Sequence, residues 1–159
     1  MIKVFQKVRK EMPVKLMLIG DGPELHEAEV YCRDNQLNQD LVVMGKVQDT
    51  ERVLTVADLF LLPSEFESFG LAALEAMSAG VPVISSNTGG IPEVNKHDFS
   101  GYLSNVGDVD GMAKNAVSLL SDEAKLKQFK EQAFGQAKKF DILNILPVYE
   151  KLYQKVLKN

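Results

Sequence analysis

Cysteine, histidine and tryptophan are scarce in this sequence, which contains one, two and none of them among 159 residues. A single cysteine, Cys32, cannot form an internal disulfide, which fits a cytosolic setting, and we expect its side chain to be packed in the core. The two histidines, His26 and His97, stand far apart without cysteine or carboxylate partners at ligand spacing, so no metal site is predicted. A chain of this length can bury a sufficient core without a disulfide or a bound metal.

Long apolar runs and an excess of positive charge are also missing. No run approaches the ~18–20 residues of a membrane helix, and no signal peptide is recognisable, so we expect a cytoplasmic protein without a membrane segment. The balance of 18 basic and 22 acidic residues gives a net charge of −4. This charge argues against a broad nucleic-acid or anionic-membrane surface but is compatible with a small anion held by backbone groups.

The hydrophobic pattern predicts an α/β protein. With 45% hydrophobic and 25% charged residues, the chain has the composition of one globular domain. Four continuous apolar runs are typical of parallel strands covered on both faces: 16–19, 41–44, 59–62 and 81–84. Helical spacing between them indicates a Rossmann-like parallel sheet with helices on both faces, in which the helix over 71–79, apolar nearly all round, is the most buried.

The second half of the chain is predicted to be helical. A fifth strand is expected at Gly101–Leu103, after a Gly89–Gly90 turn and a short helix. From about residue 109 only helices are predicted, over 109–120, 122–140 and 142–157, with Pro147 kinking the last or confining its start. We therefore predict a single domain over residues 1–159 with a helical C-terminal tail.

Two loops that follow strands are candidate ligand contacts, because ligands bind outside the carboxyl ends of such strands. In the first, Gly20 and Gly22 would allow a tight turn and close approach of a ligand to the backbone. In the second, Val47 could pack on a nucleobase. A plain turn is the alternative at both loops, and the first is not the G-x-G-x-x-G dinucleotide fingerprint.

The loop after the third apolar run carries the most information. Ser68 is a candidate N-cap, which would leave the amides of Phe69, Gly70 and Leu71 as an anion site suited to a phosphate. Glu75 lies about two turns after Ser68, so it could accept hydrogen bonds from the hydroxyls of a ribose, whereas Glu67 could hold hydroxyls of a second ring. A local structural partner for Glu75 is the alternative.

The remaining motifs are weaker. A Gly-Gly turn within 87–93 could border the sugar pocket, and the lysine-rich run over 125–139 is typical of a solvated helix face rather than a nucleic-acid stripe. No Ser-His-Asp or Cys-His set can be proposed.

The run from Glu67 to Ala76 resembles the E-x7-E signature of retaining glycosyltransferases of the GT-B fold, family 4. Supporting segments agree in order and spacing: Gly20–Pro23, Ala57–Leu59, Met77–Val83, Gly89–Val94 and Gly101–Leu103. The resemblance covers about residues 14–120. It implies the C-terminal, donor-binding half of a GT-B fold.

The resemblance also implies a function. The donor would be a UDP-sugar, expected to be UDP-N-acetylglucosamine, and the acceptor a small molecule such as L-malate in a bacterial, cytoplasmic enzyme. Glu67 would act as the catalytic carboxylate holding donor sugar hydroxyls, the amides of Phe69 to Leu71 would hold the sugar and distal phosphate, Glu75 the ribose and Val47 the base. Such enzymes usually need no metal or other cofactor.

One departure from the family pattern leads to further expectations. Family members carry an N-terminal acceptor domain, then a strand and a loop with an Arg-Lys pair, whereas here Arg9 and Lys10 lie within the first predicted helix. We therefore expect a donor domain truncated at its N-terminus that cannot transfer sugar alone. An absent strand would leave part of the sheet uncovered, so a homodimer formed through that region is an expected consequence.

Two alternative functions would use the same fold, and a third alternative, a signalling domain, would not. A lipid or polysaccharide glycosyltransferase would differ in its acceptor domain, and a non-catalytic nucleotide-sugar-binding module would lack a catalytic partner domain. A receiver-like signalling domain would need clustered acidic residues after the first strand and an aspartate at the end of a central strand, where this sequence has Pro63–Ser64.

Overall fold

The computed structural model describes residues 1–157, in which helices and strands alternate as the apolar runs predicted. The strands are β1 (Leu16–Ile19), β2 (Leu41–Gly45), β3 (Phe60–Leu62), β4 (Val83–Ser86) and β5 (Gly101–Ser104). The helices are α1 (Ile2–Glu11), α2 (Leu25–Asp34), α3 (Thr50–Leu54), α4 (Leu71–Ser78), α5 (Ile91–Val94), α6 (Val109–Leu120), α7 (Glu123–Ala137) and α8 (Ile142–Leu157). Short 3-10 helices cover Asn38–Asp40 and Lys138–Phe140.

The strands form two parallel sheets rather than one. β1 pairs with β2, and β3, β4 and β5 pair in that order. Helices flank both sheets, so the α/β class, the Rossmann-like parallel arrangement and the helical C-terminus are confirmed.

The core lies on both sides of β4, which is buried along its whole length. Ile84 belongs to a cluster with residues of α1, α6 and α7, whereas Val83 belongs to a second cluster with residues of α4 and α7. Because neighbouring side chains of a strand point to opposite faces, these two residues place β4 between two helical layers.

The expectation that every strand is covered on both faces is wrong for the first three. β1 and β3 are half-buried throughout, and β2 alternates between half-buried and exposed residues, with Val42 44% exposed. The physical reason is that β1 and β3 do not pair with each other, so their facing edges line an apolar cleft instead of a continuous sheet.

The expectation for α4 is also wrong, because this helix is not the most buried one. Ala73, Ala76 and Met77 are fully buried, but Leu71 is 64% exposed and Glu75 is exposed. Helix α4 packs through one face against α7 and the sheet, and its other face is exposed.

A buried amide network fixes the segment after α5. Asn95 Nδ2 donates to the carbonyl of Val83 at 3.0 Å and to Ser85 Oγ at 2.9 Å, and Asn95 Oδ1 accepts from Ser100 Oγ at 3.1 Å. Because buried polar groups are costly when unpaired, this network holds α5 against β4 and so positions the Gly89–Gly90 turn before it.

The tail helix α8 presents an unusually apolar surface. None of its residues is buried, and Leu143 is 79% exposed. Pro147 lies inside the helix, which begins at Ile142, so the proline does not confine its start. No helix within residues 1–157 is both long and apolar enough to cross a membrane.

The packed position predicted for Cys32 is confirmed. Its side chain is fully buried in a cluster with Phe5 and Leu37, and burial raises the pKa of the thiol. Since only the exposed thiolate reacts readily, we expect a thiol-specific chromogenic reagent to label the native chain at least about 100-fold more slowly than the urea-unfolded chain, the factor being set by local opening. Equal rates in the two states would contradict this packing.

Candidate functional site

The loops after β1 and β2 lie together at the carboxyl ends of these strands. The amide of Gly20 donates to the carbonyl of Gly45 at 2.7 Å, and Lys46 Nζ lies 3.1 Å from Asp21 Oδ2 in an exposed ion pair. Gly20 has a φ of +114°, which a residue with a side chain rarely adopts. The structure therefore brings the first two sequence-predicted loops to one place.

Two predicted contact residues in these loops face open space to different degrees. A Cβ built on Gly22 would meet nothing within 4 Å, so the backbone there is open to close approach. Val47 is half-buried, so part of its apolar surface stays available for a flat ligand.

The N-cap of helix α4 lies two residues after Ser68, so the predicted serine cap is wrong. Gly70 is the N-cap residue, with a φ of +93°, and Ser68 makes no capping hydrogen bond. The first intrahelical bond runs from the amide of Leu74 to the carbonyl of Gly70, at 3.0 Å. The amides that precede it, those of Leu71, Ala72 and Ala73, therefore point out of the helix start.

No side chain caps α4, but the Glu67 carboxylate bonds to the N-cap residue itself. Glu67 Oε1 accepts from the amide of Gly70 at 3.2 Å, and Glu67 is half-buried. This bond holds the carboxylate beside the helix start, where the helix dipole favours a negative group.

Glu75 lies one turn into α4 on the exposed face that it shares with Leu71. One turn places the two residues about 6 Å apart along the helix axis. Within residues 1–157 the Glu75 carboxylate has no ion-pair or hydrogen-bond partner, and only the backbone carbonyl of Glu75 accepts, from Ser78 Oγ and from the amide of Ala79. A local structural partner for this side chain is thus not found in the described chain.

The Thr88–Gly90 turn forms a wall of the site, although its sequence gave only the weak signal of two consecutive glycines. The amide of Gly90 donates to the carbonyl of Glu67 at 3.3 Å, and Thr88 Oγ1 donates to the carbonyl of Glu65 at 3.2 Å. A cavity of about 550 Å³ lies between the two loops. It is lined by Phe66, Glu67, Ser68, Thr88 and Gly89.

Sequence reasoning missed two aromatic side chains near this loop. Phe69 packs edge-on against Phe140 of the 3-10 helix, with ring centroids 5.8 Å apart, so the C-terminal tail anchors the loop. Phe66, in contrast, is 90% exposed at the cavity. The contact of Phe69 with Phe140 joins segments about 70 residues apart in the chain, and local spacing does not reveal it.

Arg9 lies away from the loops described above. Its guanidinium Nε is 2.6 Å from Oδ2 of Asp40, which directly precedes β2, so Arg9 lies near the amino ends of the strands whereas the loops lie at their carboxyl ends. His97 Nδ1 accepts from the amide of Leu103 at 3.0 Å, which is a structural role. No group of three or more potential metal ligands occurs in residues 1–157.

The arrangement combines a helix start, which can bind an anion, with two carboxylates that can accept hydrogen bonds from neutral hydroxyls.

The sequence profile of the family described as glycosyl transferases group 1 matches residues 1–136. The chain is 39% identical over 159 residues to the N-acetyl-alpha-D-glucosaminyl L-malate synthase of Bacillus anthracis, covering 99% of this chain and 42% of that protein. It is 31% identical over 157 residues to the 2-deoxystreptamine N-acetyl-D-glucosaminyltransferase of Niallia circulans, covering 94% of this chain and 40% of that protein.

A solved structure with the same fold is that of the Anabaena protein HepE in complex with UDP. The TM-score is 0.85 at 24% identity, over 95% of this chain and 44% of that one. This likeness shows a shared GT-B glycosyltransferase fold. The chain spans well under half the length of all three proteins.

Proposed function

Since the chain belongs to the glycosyl transferases group 1 family, we propose that it is the domain of a retaining glycosyltransferase that binds the nucleotide-sugar donor. The observation that carries the proposal is the start of α4, where outward-pointing amides stand between the carboxylates of Glu67 and Glu75. A nucleotide sugar offers a diphosphate flanked by a ribose and a second sugar ring, and so has an anion between two sets of hydroxyls.

In this proposal the helix start binds the distal phosphate. The amides of Leu71 to Ala73 are unpaired by helix geometry, and the helix dipole adds partial positive charge there. The family resemblance assigns Phe69, Gly70 and Leu71 to the sugar and phosphate. The amide of Gly70 already donates to Glu67, so a phosphate that used it would displace that carboxylate.

The two carboxylates then take the hydroxyls on either side. Glu67 would accept from donor sugar hydroxyls in the cavity it lines with Ser68 and Gly89 and so act as the catalytic carboxylate. Glu75 would accept from the ribose, and Val47 would pack against the base. Gly20 and Gly22 would let the ligand approach the backbone, since neither places a side chain in its path.

We propose UDP-N-acetylglucosamine as the donor. Both similar enzymes are named for N-acetylglucosaminyl transfer or for its product, and the structure of HepE holds UDP. L-Malate is the acceptor we propose, from the name of the 39% identical enzyme. The acceptor would bind to a further domain and an Arg-Lys pair would neutralise the departing diphosphate. We accordingly propose that the 159-residue chain does not transfer sugar by itself, and that it acts in the cytoplasm.

Calorimetric titration of the 159-residue chain with UDP, UDP-N-acetylglucosamine and GDP tests the proposal. We expect both uridine nucleotides to bind with dissociation constants of roughly 0.1–1 mM, which corresponds to about −4 to −5.5 kcal/mol. GDP should bind at least about threefold more weakly, because the larger base would fit poorly against Val47. A chain that unfolds cooperatively on heating yet binds none of the three would contradict the proposal.

A further inference from the structure

Phe66 is an exposed aromatic residue at the cavity beside Glu67. It is 90% exposed, more than any other large hydrophobic residue within residues 1–157. It is also one of the five residues that line the cavity of about 550 Å³. Single exposed apolar side chains are common on protein surfaces, so it is the location of Phe66 that points to a ligand.

The backbone on both sides of Phe66 is held by hydrogen bonds. The carbonyl of Glu65 accepts from Thr88 Oγ1 at 3.2 Å, and the carbonyl of Glu67 accepts from the amide of Gly90 at 3.3 Å. Both bonds join the loop to the turn that forms the other wall of the cavity. Phe66 nevertheless belongs to none of the hydrophobic clusters of the described core. The fold therefore fixes its position without using its ring for packing.

The lining of the cavity matches the two kinds of surface that a pyranose ring offers. Ser68 and Thr88 carry hydroxyls and Glu67 carries a carboxylate, whereas Phe66 supplies the one wholly apolar side chain of the lining. A pyranose has hydroxyls around its edge and C–H groups on its faces. It is therefore bound best by hydrogen-bonding groups at the edge and an apolar surface over one face. The volume lies within the ~300–1,000 Å³ that is usual for ligand pockets.

We propose that Phe66 binds the donor sugar by packing its ring against an apolar face of the pyranose, while Glu67 binds hydroxyls of the same sugar. Consecutive Cα atoms lie about 3.8 Å apart, so the two side chains can reach one ring. An aromatic side chain buries a large apolar area at a low cost in conformational entropy, because it has only two rotatable bonds. This inference rests on the proposed function and adds to it the residue that distinguishes a nucleotide sugar from the nucleotide alone.

The substitution Phe66→Ala tests the contact by calorimetric titration. We expect the affinity for UDP-N-acetylglucosamine to fall by about threefold to tenfold, the range for the loss of one aromatic contact. The affinity for UDP should stay the same, because UDP has no sugar beyond its diphosphate. Since the exposed ring takes no part in the core, the midpoint of thermal unfolding should stay within about 2 °C of the original.

The substitution Phe66→Trp gives a second, spectroscopic readout. The chain contains no tryptophan, so the new indole is the single reporter at the cavity. It keeps an aromatic face, and we expect the affinity for UDP-N-acetylglucosamine to be retained and the fluorescence to change with this ligand but not with UDP. The matched control is Phe99→Trp, since Phe99 is 40% exposed and lies two residues before β5, near the amino ends of the strands. Neither ligand should change its fluorescence.

The outcomes separate this contact from the nucleotide site. If Phe66→Ala loses affinity for both ligands equally, or for neither, the sugar contact is overturned while the nucleotide site stands. A fluorescence change of Phe66→Trp with UDP as large as that with UDP-N-acetylglucosamine would place Phe66 at the nucleotide and overturn the sugar contact as well. If the original protein is folded and binds neither ligand, the proposed function itself fails, and the sugar contact fails with it.

Discussion

Replacing Gly89 with alanine is expected to lower the free energy of unfolding by about 2–4 kcal/mol, among the larger effects of a single substitution. Gly89 has a φ of +53°, and a Cβ there would overlap the backbone carbonyl of Glu67. Because backbone rather than a flexible side chain occupies that space, one of the two loops must move. The cavity beside Glu67 should change shape, and UDP-N-acetylglucosamine binding should weaken more than UDP binding.

Thermal unfolding and calorimetry measure both effects, and Gly135→Ala is the matched control. Gly135 lies inside α7, where a Cβ would meet nothing within 4 Å. Since alanine is the better helix former, this control should gain about 0.5–1 kcal/mol of stability. A Gly89→Ala protein as stable as the original, with unchanged binding of both ligands, would show that the contact between the two loops does not shape the site.

The local pattern of the sequence predicted the elements well. The apolar run 16–19 becomes β1 at the predicted residues, and the run 81–84 overlaps β4, which starts and ends two residues later. The helices after residue 108 begin within one residue of where they were expected, because Asp108 and Asp122 cap α6 and α7. These features depend on residues close together in the chain. Short-range chemistry was therefore sufficient to place them.

The details of the site were harder to predict because distant contacts decide them. Ser68 is a good cap by residue type, but Phe69 packs on Phe140 and Gly90 bonds to the carbonyl of Glu67, and this loop conformation moves the cap to Gly70. Glu67 then supplies the side-chain bond. A single sequence records none of these long-range partners.

The split of the sheet was missed for a similar reason. A continuous apolar run predicts that a strand is covered, but it does not tell which strand lies beside it. β1 and β3 carry the pattern of central strands and nevertheless have one open edge each. The half-burial of both strands at the cleft depends on which strands pair with each other, and the local pattern does not record that pairing.

The substitution Glu75→Gln should weaken UDP binding by about tenfold to a hundredfold, the range expected when a hydrogen bond to a charged group worth about 1.5–3 kcal/mol is lost. The carboxylate is exposed and has no partner among the described residues, so its replacement should leave the thermal midpoint within about 2 °C. The matched control is Glu11→Gln at the end of α1. It removes the same charge near the amino ends of the strands, whereas Glu75 lies near their carboxyl ends. UDP binding to that variant should be unchanged.

The role of Glu75 toward the ribose can be separated from its charge by changing the ligand. If its carboxylate accepts from a ribose hydroxyl, the original protein should bind UDP at least about threefold more tightly than 2′-deoxy-UDP or 3′-deoxy-UDP, and this preference should shrink in Glu75→Gln, as a double-mutant cycle requires. Equal loss of affinity for all three ligands would assign Glu75 to long-range electrostatics or local folding instead. Because a carboxylate near a diphosphate is repulsive, unchanged or tighter UDP binding in Glu75→Gln would contradict the ribose contact outright.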